Sequence, residues 1–472
     1  MSKAQLIKIL IAVGLAVVAL FVPFAALGVN VNPIEQRVIA LFVLAAFLWI
    51  LEPIPIWSTS ILIIVLMLFT MSDKAPAPML VDASGEKFTN LLSYKAVMAT
   101  FADPTIMLFL GGFFLAAAST KYKLDLNLAR VLLKPFGRNP KYVLLGLMMI
   151  TAMFSMFMSN TATAAMMLAI LAPVLALFDA NDKGRMAFVL AIPIGANIGG
   201  MGTPIGTPPN AIAMKAMDGA VSFGKWMFFA TPYMIVILIA AWIFLVKVFP
   251  STKKSMELTF NEKFMKTPKA IIAYVTFALT ILLWVTSDLT GLDSNVVAMV
   301  PIAVFSVTRV ISAKDMNGMS WDVLWLVAGG FALGLGLEKT GLAKHLLEAI
   351  PFGSWNVYVV FLGVGLIGLF MSTFMSNTAA CALLTPIVAA LAVSMGPALG
   401  PLGGAPGIII TVALCCSLAM SLPISTPPNA LAYGTGFVET KQMAKVGVFI
   451  GIFGIAVVFG MMMLLGTLKY FN

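Results

Sequence analysis

Apolar residues run along this chain in blocks of about 15 to 25, with short polar stretches between them. An apolar block of about 20 residues makes a helix of about 30 Å, the thickness of a bilayer's hydrocarbon core. The pattern predicts about eleven spanning helices: Leu6–Leu27, Glu35–Ile50, Trp57–Met71, Thr105–Ser119, one starting near Met186, Phe229–Phe249, Ala270–Ser287, Val296–Val310, Trp321–Leu337, Gly407–Tyr433 and Val446–Leu468. A β-barrel would show short segments of alternating polarity instead. Two runs exceed a single span. Tyr142–Phe178 carries no charge and would make a helix of about 55 Å. Ala349–Thr440 carries Glu439 alone. Each run holds a polar triplet, Ser159-Asn160-Thr161 or Ser376-Asn377-Thr378, so each predicts a re-entrant helical hairpin with a polar tip, at 142–178 and 355–393. Non-helical backbone at membrane depth is tolerated only when buried in protein or lining a cavity. The two tips therefore predict the halves of one ligand site.

Three markers recur in the same order. Gly111-Gly112 and Gly329-Gly330 lie 218 residues apart, the triplets 217, and Pro204–Asn210 and Pro423–Asn429 (PIGTPPN against PISTPPN) 219. After a first helix in 1–29, the chain divides into repeat 1 at 30–249, a linker at 250–269 and repeat 2 at 270–472. Five spans and a hairpin give each repeat an odd number of crossings, so the second enters from the opposite face. Inverted repeats with broken helices near the midplane are an architecture of secondary transporters.

Composition agrees. Of 472 residues, 61% are hydrophobic and 10% charged, with a mean hydropathy of +1.03. This is an all-α polytopic membrane protein with lipid as its surroundings. The net charge of +10 reflects basic loops, not nucleic-acid binding. Lys121, Lys123, Arg130, Lys134, Arg138 and Lys141 face only Asp125, and a second cluster follows Lys247. Both clusters predict cytoplasmic loops, which puts the N-terminus inside, the C-terminus outside and the chain in a cytoplasmic (inner) membrane. Lys3 and Lys8 before an apolar run imitate a signal peptide, but the run is long enough for an uncleaved span. Cys381, Cys415 and Cys416 have no metal-ligand or disulfide spacing. Glu52, beside Pro53 and Pro55, reads as an interfacial charge. His345, beside Lys344 and near Glu348, reads as a loop residue and not a proton relay.

The repeated motifs carry the candidate chemistry. Pro208 and Pro209 would leave the carbonyls of Pro204 and Ile205 without helical donors, and Pro427 and Pro428 those of Pro423 and Ile424. Gly202 and Gly206 loosen the first segment further. Free carbonyls suit a hard cation such as Na⁺, while the N-terminus of the half-helix beyond favours an anion. The plain alternative is a proline kink. Asn160 and Asn377 bring amides that can coordinate a cation or donate to a carboxylate, and Thr161, Thr207, Thr378 and Thr426 add hydroxyls. Helix capping is the plain alternative for the triplets. There is no Asp, Glu, Lys or Arg near the middle of the hairpins or of the two proline-broken spans, which disfavours proton coupling. The pattern suits an anion accompanied by small cations. Bringing a dianion into a cell held about 100 mV negative costs about 4.6 kcal/mol; two Na⁺ cancel its charge and a third makes entry electrically favourable.

At these motifs nearly the whole chain resembles the divalent anion/sodium symporter family, the INDY-type di- and tricarboxylate transporters. The resemblance implies a homodimer in which a transport domain, holding both hairpins, the two broken spans and the spans Phe229–Phe249 and Val446–Leu468, moves against a scaffold by an elevator mechanism. It implies one Na⁺ site at Ser155, Ser159, Asn160 and Gly206, and another at Ser372, Met375, Asn377 and Ser425. Substrate carboxylates would meet Asn160, Thr161, Thr207, Pro208, Ser376, Asn377, Thr378, Thr426 and Pro427. Gly206 stands opposite Ser425 across the repeat, and Met375 can offer a cation only its carbonyl.

The reading is a secondary active transporter importing C4-dicarboxylates such as succinate, malate or fumarate with Na⁺, and needing no organic cofactor. A Na⁺-independent di- or tricarboxylate exchanger of the same fold is the alternative. An enzyme finds no P-loop, metal cluster or intramembrane acid–base pair, and a passive anion channel would not need the cation sites.

Overall fold

The structure, a computed structural model, describes the chain except residues 1, 25–30, 83, 176–177, 180–181, 257–262, 344, 346–354 and 472. The described residues form helices and turns and no β-strand, only two isolated bridges. Among them, nine helices are long and apolar enough to cross a membrane. The expected count was higher because several crossings are short or broken. Ile56–Thr70 has 15 residues and Ser294–Val307 has 14.

Numbering the helices of eight or more residues along the chain, α1 is Lys3–Phe21, α2 Pro33–Leu51, α3 Ile56–Thr70, α4 Pro104–Lys121 and α5 Leu124–Leu133. Two arms follow, α6 Pro140–Ser155 and α7 Asn160–Leu175, and then a broken pair, α8 Gly184–Gly200 and α9 Pro208–Ala216. α10 is Phe223–Val248. The second half repeats this order: α11 Pro268–Val285, α12 Ser294–Val307, α13 Trp321–Lys339, the arms α14 Val357–Phe374 and α15 Asn377–Met395, the broken pair α16 Gly404–Ser417 and α17 Pro427–Gly434, and α18 Thr440–Thr467.

Local chemistry sets these ends. Pro-Pro opens both α9 and α17, where proline's missing N–H is harmless, and forbids continuous helix through the preceding segment. α10 starts before the expected Phe229 because Ser222 caps it, accepting from the Lys225 N–H at 3.0 Å. A capping box between Glu439 and Gln442 likewise starts α18 at Thr440. Glu52 ends α2 in the left-handed region, at φ 46°, as the expected break requires.

The two halves interlock. The arms α6 and α7 pack on α8, and α14 and α15 pack on α16. Across the halves, α3 lies on α13 and α4 on α12. The Gly-Gly markers make those two crossings close. A Cβ on Gly111 would lie 2.5 Å from the Ala298 carbonyl oxygen, and one on Gly329 would lie 2.4 Å from Cβ of Ser60. Each short half-helix reaches into the other half: α9 packs on α15 and α16, α17 on α7 and α8. This exchange brings both polar tips to one place. Outward residues such as Leu10, Leu279, Leu366 and Phe370 present apolar surface suited to lipid.

His345 is not a free loop residue. Its Nδ1 lies 2.9 Å from Oε2 and 2.8 Å from Oε1 of Glu35, whose side chain is fully buried at the start of α2. The expected neighbours Lys344 and Glu348 lie outside the described residues.

Candidate binding site

Four helices begin at one cavity of about 330 Å³. Their first residues, Asn160 of α7, Pro208 of α9, Asn377 of α15 and Pro427 of α17, all line it. Each helix N-terminus carries about half a positive charge, and an anion is the natural occupant of such a convergence. Ser159, Thr161, Gly206, Thr207, Ser376, Thr378, Ser425 and Thr426 complete the polar wall. The backbone N–H groups of Thr161 and Thr378 have no partner among the described residues. Of the expected site residues, Ser155, Ser372 and Met375 stand behind this wall and do not line it.

The tips are built alike. Ser155 donates to Oδ1 of Asn160 at 2.5 Å, and Ser372 lies 2.7 Å from Oδ1 of Asn377 and from the Cys416 carbonyl. With its oxygen so engaged, each amide keeps its nitrogen for a ligand. Ser376 also caps α15, accepting from the Ala379 N–H at 3.2 Å, so the capping role and the cavity position coexist. Met375, extended and buried, forms the break between the arms.

The asparagines of the two Thr-Pro-Pro-Asn segments organise the unwound backbone, a role the sequence reading did not assign. Asn210 Nδ2 donates to the carbonyls of Thr203 at 2.7 Å and Gly200 at 3.0 Å. Asn429 Nδ2 donates to those of Met420 at 2.8 Å and Leu422 at 3.0 Å. Hydroxyls tie each loop to its own hairpin: Thr203 donates to the Met156 carbonyl, and Ser425 to that of Thr373 at 3.2 Å.

Gly200 packs tightly against the first tip: a Cβ there would lie 2.6 Å from Asn160 Oδ1, 2.9 Å from its Nδ2 and 3.0 Å from the Gly206 carbonyl oxygen, so only glycine lets these groups come together. At the second tip the oxygens of Ser372, Asn377 and Cys416 gather in the same way. These are neutral hard donors, suited to a monovalent hard ion. No cluster of His, Cys, Asp or Glu fit for a tightly held metal occurs among the described residues.

Two lining residues were missed. Asn197, the sole amide or charge between Met186 and Met201, sits in α8 and donates to Thr426 Oγ1 and Asn429 Oδ1, both at 3.1 Å. Its isolation in an apolar run was the available signal. Asp322, exposed in the first turn of α13, brings a carboxylate to the lining, which also includes Trp57 and Ser320. The charge-free stretches read from the sequence are the tips and the middle of the broken spans; the cavity as a whole includes the Asp322 carboxylate. A second cavity of about 570 Å³, lined by Asp103, Lys215, Asp218, Asp288 and Asp293, lies near the opposite ends of α4 and α9.

The chain is similar to known transporters. Residues 46–405 match the citrate transporter family, CitMHS. An uncharacterised transporter of Haemophilus influenzae is 34% identical over 452 residues, covering 91% of this chain and 92% of its own length. The sodium-dependent dicarboxylate transporter SdcS of Staphylococcus aureus is 30% identical over 455 residues, covering 88% and 83%. Among solved structures, MtrF of Neisseria gonorrhoeae, described as one of a class of antimetabolite efflux pumps, aligns with a TM-score of 0.53 at 14% identity, covering 86% of this chain and 94% of its own; the likeness concerns the fold alone. The chain is a multi-pass membrane transporter, not an enzyme, and it belongs to the citrate transporter family.

Proposed function

We infer that the chain imports C4-dicarboxylates of the succinate, malate and fumarate class together with Na⁺. The observation that carries this is the meeting of four helix N-termini and two Ser-Asn-Thr triplets around one cavity, whose helix ends and tips hold no Lys or Arg. Neutral donors and helix ends hold the anion without a fixed countercharge, so the accompanying cations must neutralise it. The tips at Ser155, Ser159, Asn160 and Gly206, and at Ser372, Met375, Asn377 and Ser425, are the cation sites of this reading. The SdcS relative, a sodium-dependent dicarboxylate transporter by name, supports both substrate class and ion.

Movement follows an elevator scheme. Repeats at 30–249 and 270–472 are inverted, and the arms 142–178 and 355–393 are re-entrant hairpins. The arms and broken helices travel as one body against α3, α4, α12 and α13, within a homodimer. With the basic loops inside, Trp57 and Asp322 mark the cytoplasmic mouth of the substrate cavity, and the 570 Å³ cleft is the external one. The N-terminus is then cytoplasmic and the C-terminus external.

Uptake of labelled succinate into proteoliposomes tests the function. Concentrative uptake that rises steeply with external Na⁺ and carries positive charge inward is expected. Uptake that needs internal dicarboxylate and ignores Na⁺ would establish an exchanger instead.

A further inference from the structure

Asn197 is 2% exposed and lines the cavity, yet belongs to neither triplet nor to the Thr-Pro-Pro-Asn segments. Its neighbours settle which way its amide points. Asn429 uses Nδ2 on the Met420 and Leu422 carbonyls, so it must turn its acceptor Oδ1 toward Asn197. Asn197 therefore presents Nδ2, which donates to Asn429 Oδ1 and to Thr426 Oγ1. An amide nitrogen has two protons, and both are committed.

The oxygen is left over. Asn197 Oδ1 accepts no hydrogen bond among the described residues, and it is not among the fully enclosed side-chain atoms that lack a partner, which leaves it open to the cavity. It differs from the amide oxygens of the two tips, since Asn160 Oδ1 accepts from the Ser155 hydroxyl and Asn377 Oδ1 lies 2.7 Å from that of Ser372. Carboxylates cannot satisfy it, since an ionised carboxylate only accepts. A desolvated acceptor facing a bound anion is unfavourable unless the ligand brings a donor. The position 219 residues on is Cys416, whose side chain is no comparable acceptor, so the cavity has this feature on one side only.

We propose that Oδ1 of Asn197 accepts a hydrogen bond from an alcohol group on the substrate, so that the site prefers hydroxylated dicarboxylates to unsubstituted ones of the same length. This rests on the dicarboxylate reading above. A site built to bond a substrate hydroxyl rejects the analogue that lacks it, because its buried polar group is then left unpaired.

The test is competition by unlabelled malate and succinate against labelled succinate, in proteoliposomes of the wild-type chain and of Asn197→Ala. Malate is expected to compete about tenfold better than succinate in the wild type, the worth of one net hydrogen bond, and the ratio to fall close to one in the variant. A purely structural role would weaken both competitors together and leave the ratio unchanged, which overturns the proposal. So does a variant whose Na⁺ dependence shifts while its malate preference stays. If Asn197→Ala does not fold, equal competition in the wild type overturns it alone. Equal carriage of the two acids removes only this inference; carriage of neither removes the dicarboxylate reading and this inference with it.

Discussion

The hydroxyl of Ser155 donates to Oδ1 of Asn160 at 2.5 Å, across the break between α6 and α7. In the proposed cation site these two oxygens turn together onto one small cation. Ser155→Ala removes one of them. The Na⁺ needed for half-maximal uptake is expected to rise about tenfold, as for a lost bond to a charged group, with a smaller change in substrate KM at saturating Na⁺. Titrating uptake against Na⁺ checks this, and an unaltered curve would take Ser155 out of the cation set.

Gly200→Ala places a methyl 2.6 Å from Asn160 Oδ1 and 2.9 Å from its Nδ2, contacts that no side chain tolerates without moving. The asparagine must shift. A displacement of about 1 Å in a positioned group costs about a hundredfold in rate, so uptake is expected to fall by that order. Thermal unfolding of the purified variant distinguishes a moved side chain from a chain that no longer folds.

Lys215 pairs with Asp103 at 2.8 Å, joining α9 to the N-cap of α4 beside the 570 Å³ cleft. In an elevator these two helices separate at each cycle. Lys215 is 46% exposed, so the pair contributes under about 1 kcal/mol. Lys215→Met is expected to change the maximal rate by no more than about fivefold while leaving substrate KM nearly unaltered. A KM that shifts with no change in rate would mean that Lys215 acts on the bound anion instead.

Outside the spans, Asp315 shows where pH reaches the fold. Its hydrogen bond from Lys121 at 2.6 Å, helped by Ser312, lowers its carboxyl to about 2. The folded value lies below the usual carboxylate value of about 3.9. The stabilisation is therefore complete above about pH 4 and fades as pH falls toward 2. Asp315→Asn is expected to lower the melting temperature at pH 7, and the gap to the wild type should narrow at pH 3. A constant gap across that range would show that Asp315 acts through packing and not charge.

The parts of the site written as repeated motifs could be found from sequence, because duplication singles out residues that composition hides. Asn160, Thr207, Asn377 and Thr426 line one cavity, as their matched spacing suggested. Long-range pairings left no such mark. Nothing adjacent to Glu35 points to His345, which is 310 residues away. Asp322 reads as an ordinary first-turn carboxylate until α3 and α13 bring it beside the cavity. Helical class was legible throughout, whereas crossing length was not: Ile56–Thr70 and Ser294–Val307 are short, and the proline pairs divide two further crossings into pieces.

In the proposed site both triplets grip one anion, and uptake of labelled succinate by Asn160→Ala and by Asn377→Ala, each verified to unfold cooperatively, is the decisive measurement. Each single substitution is expected to bring uptake to background. Near-normal uptake in either would contradict a shared site.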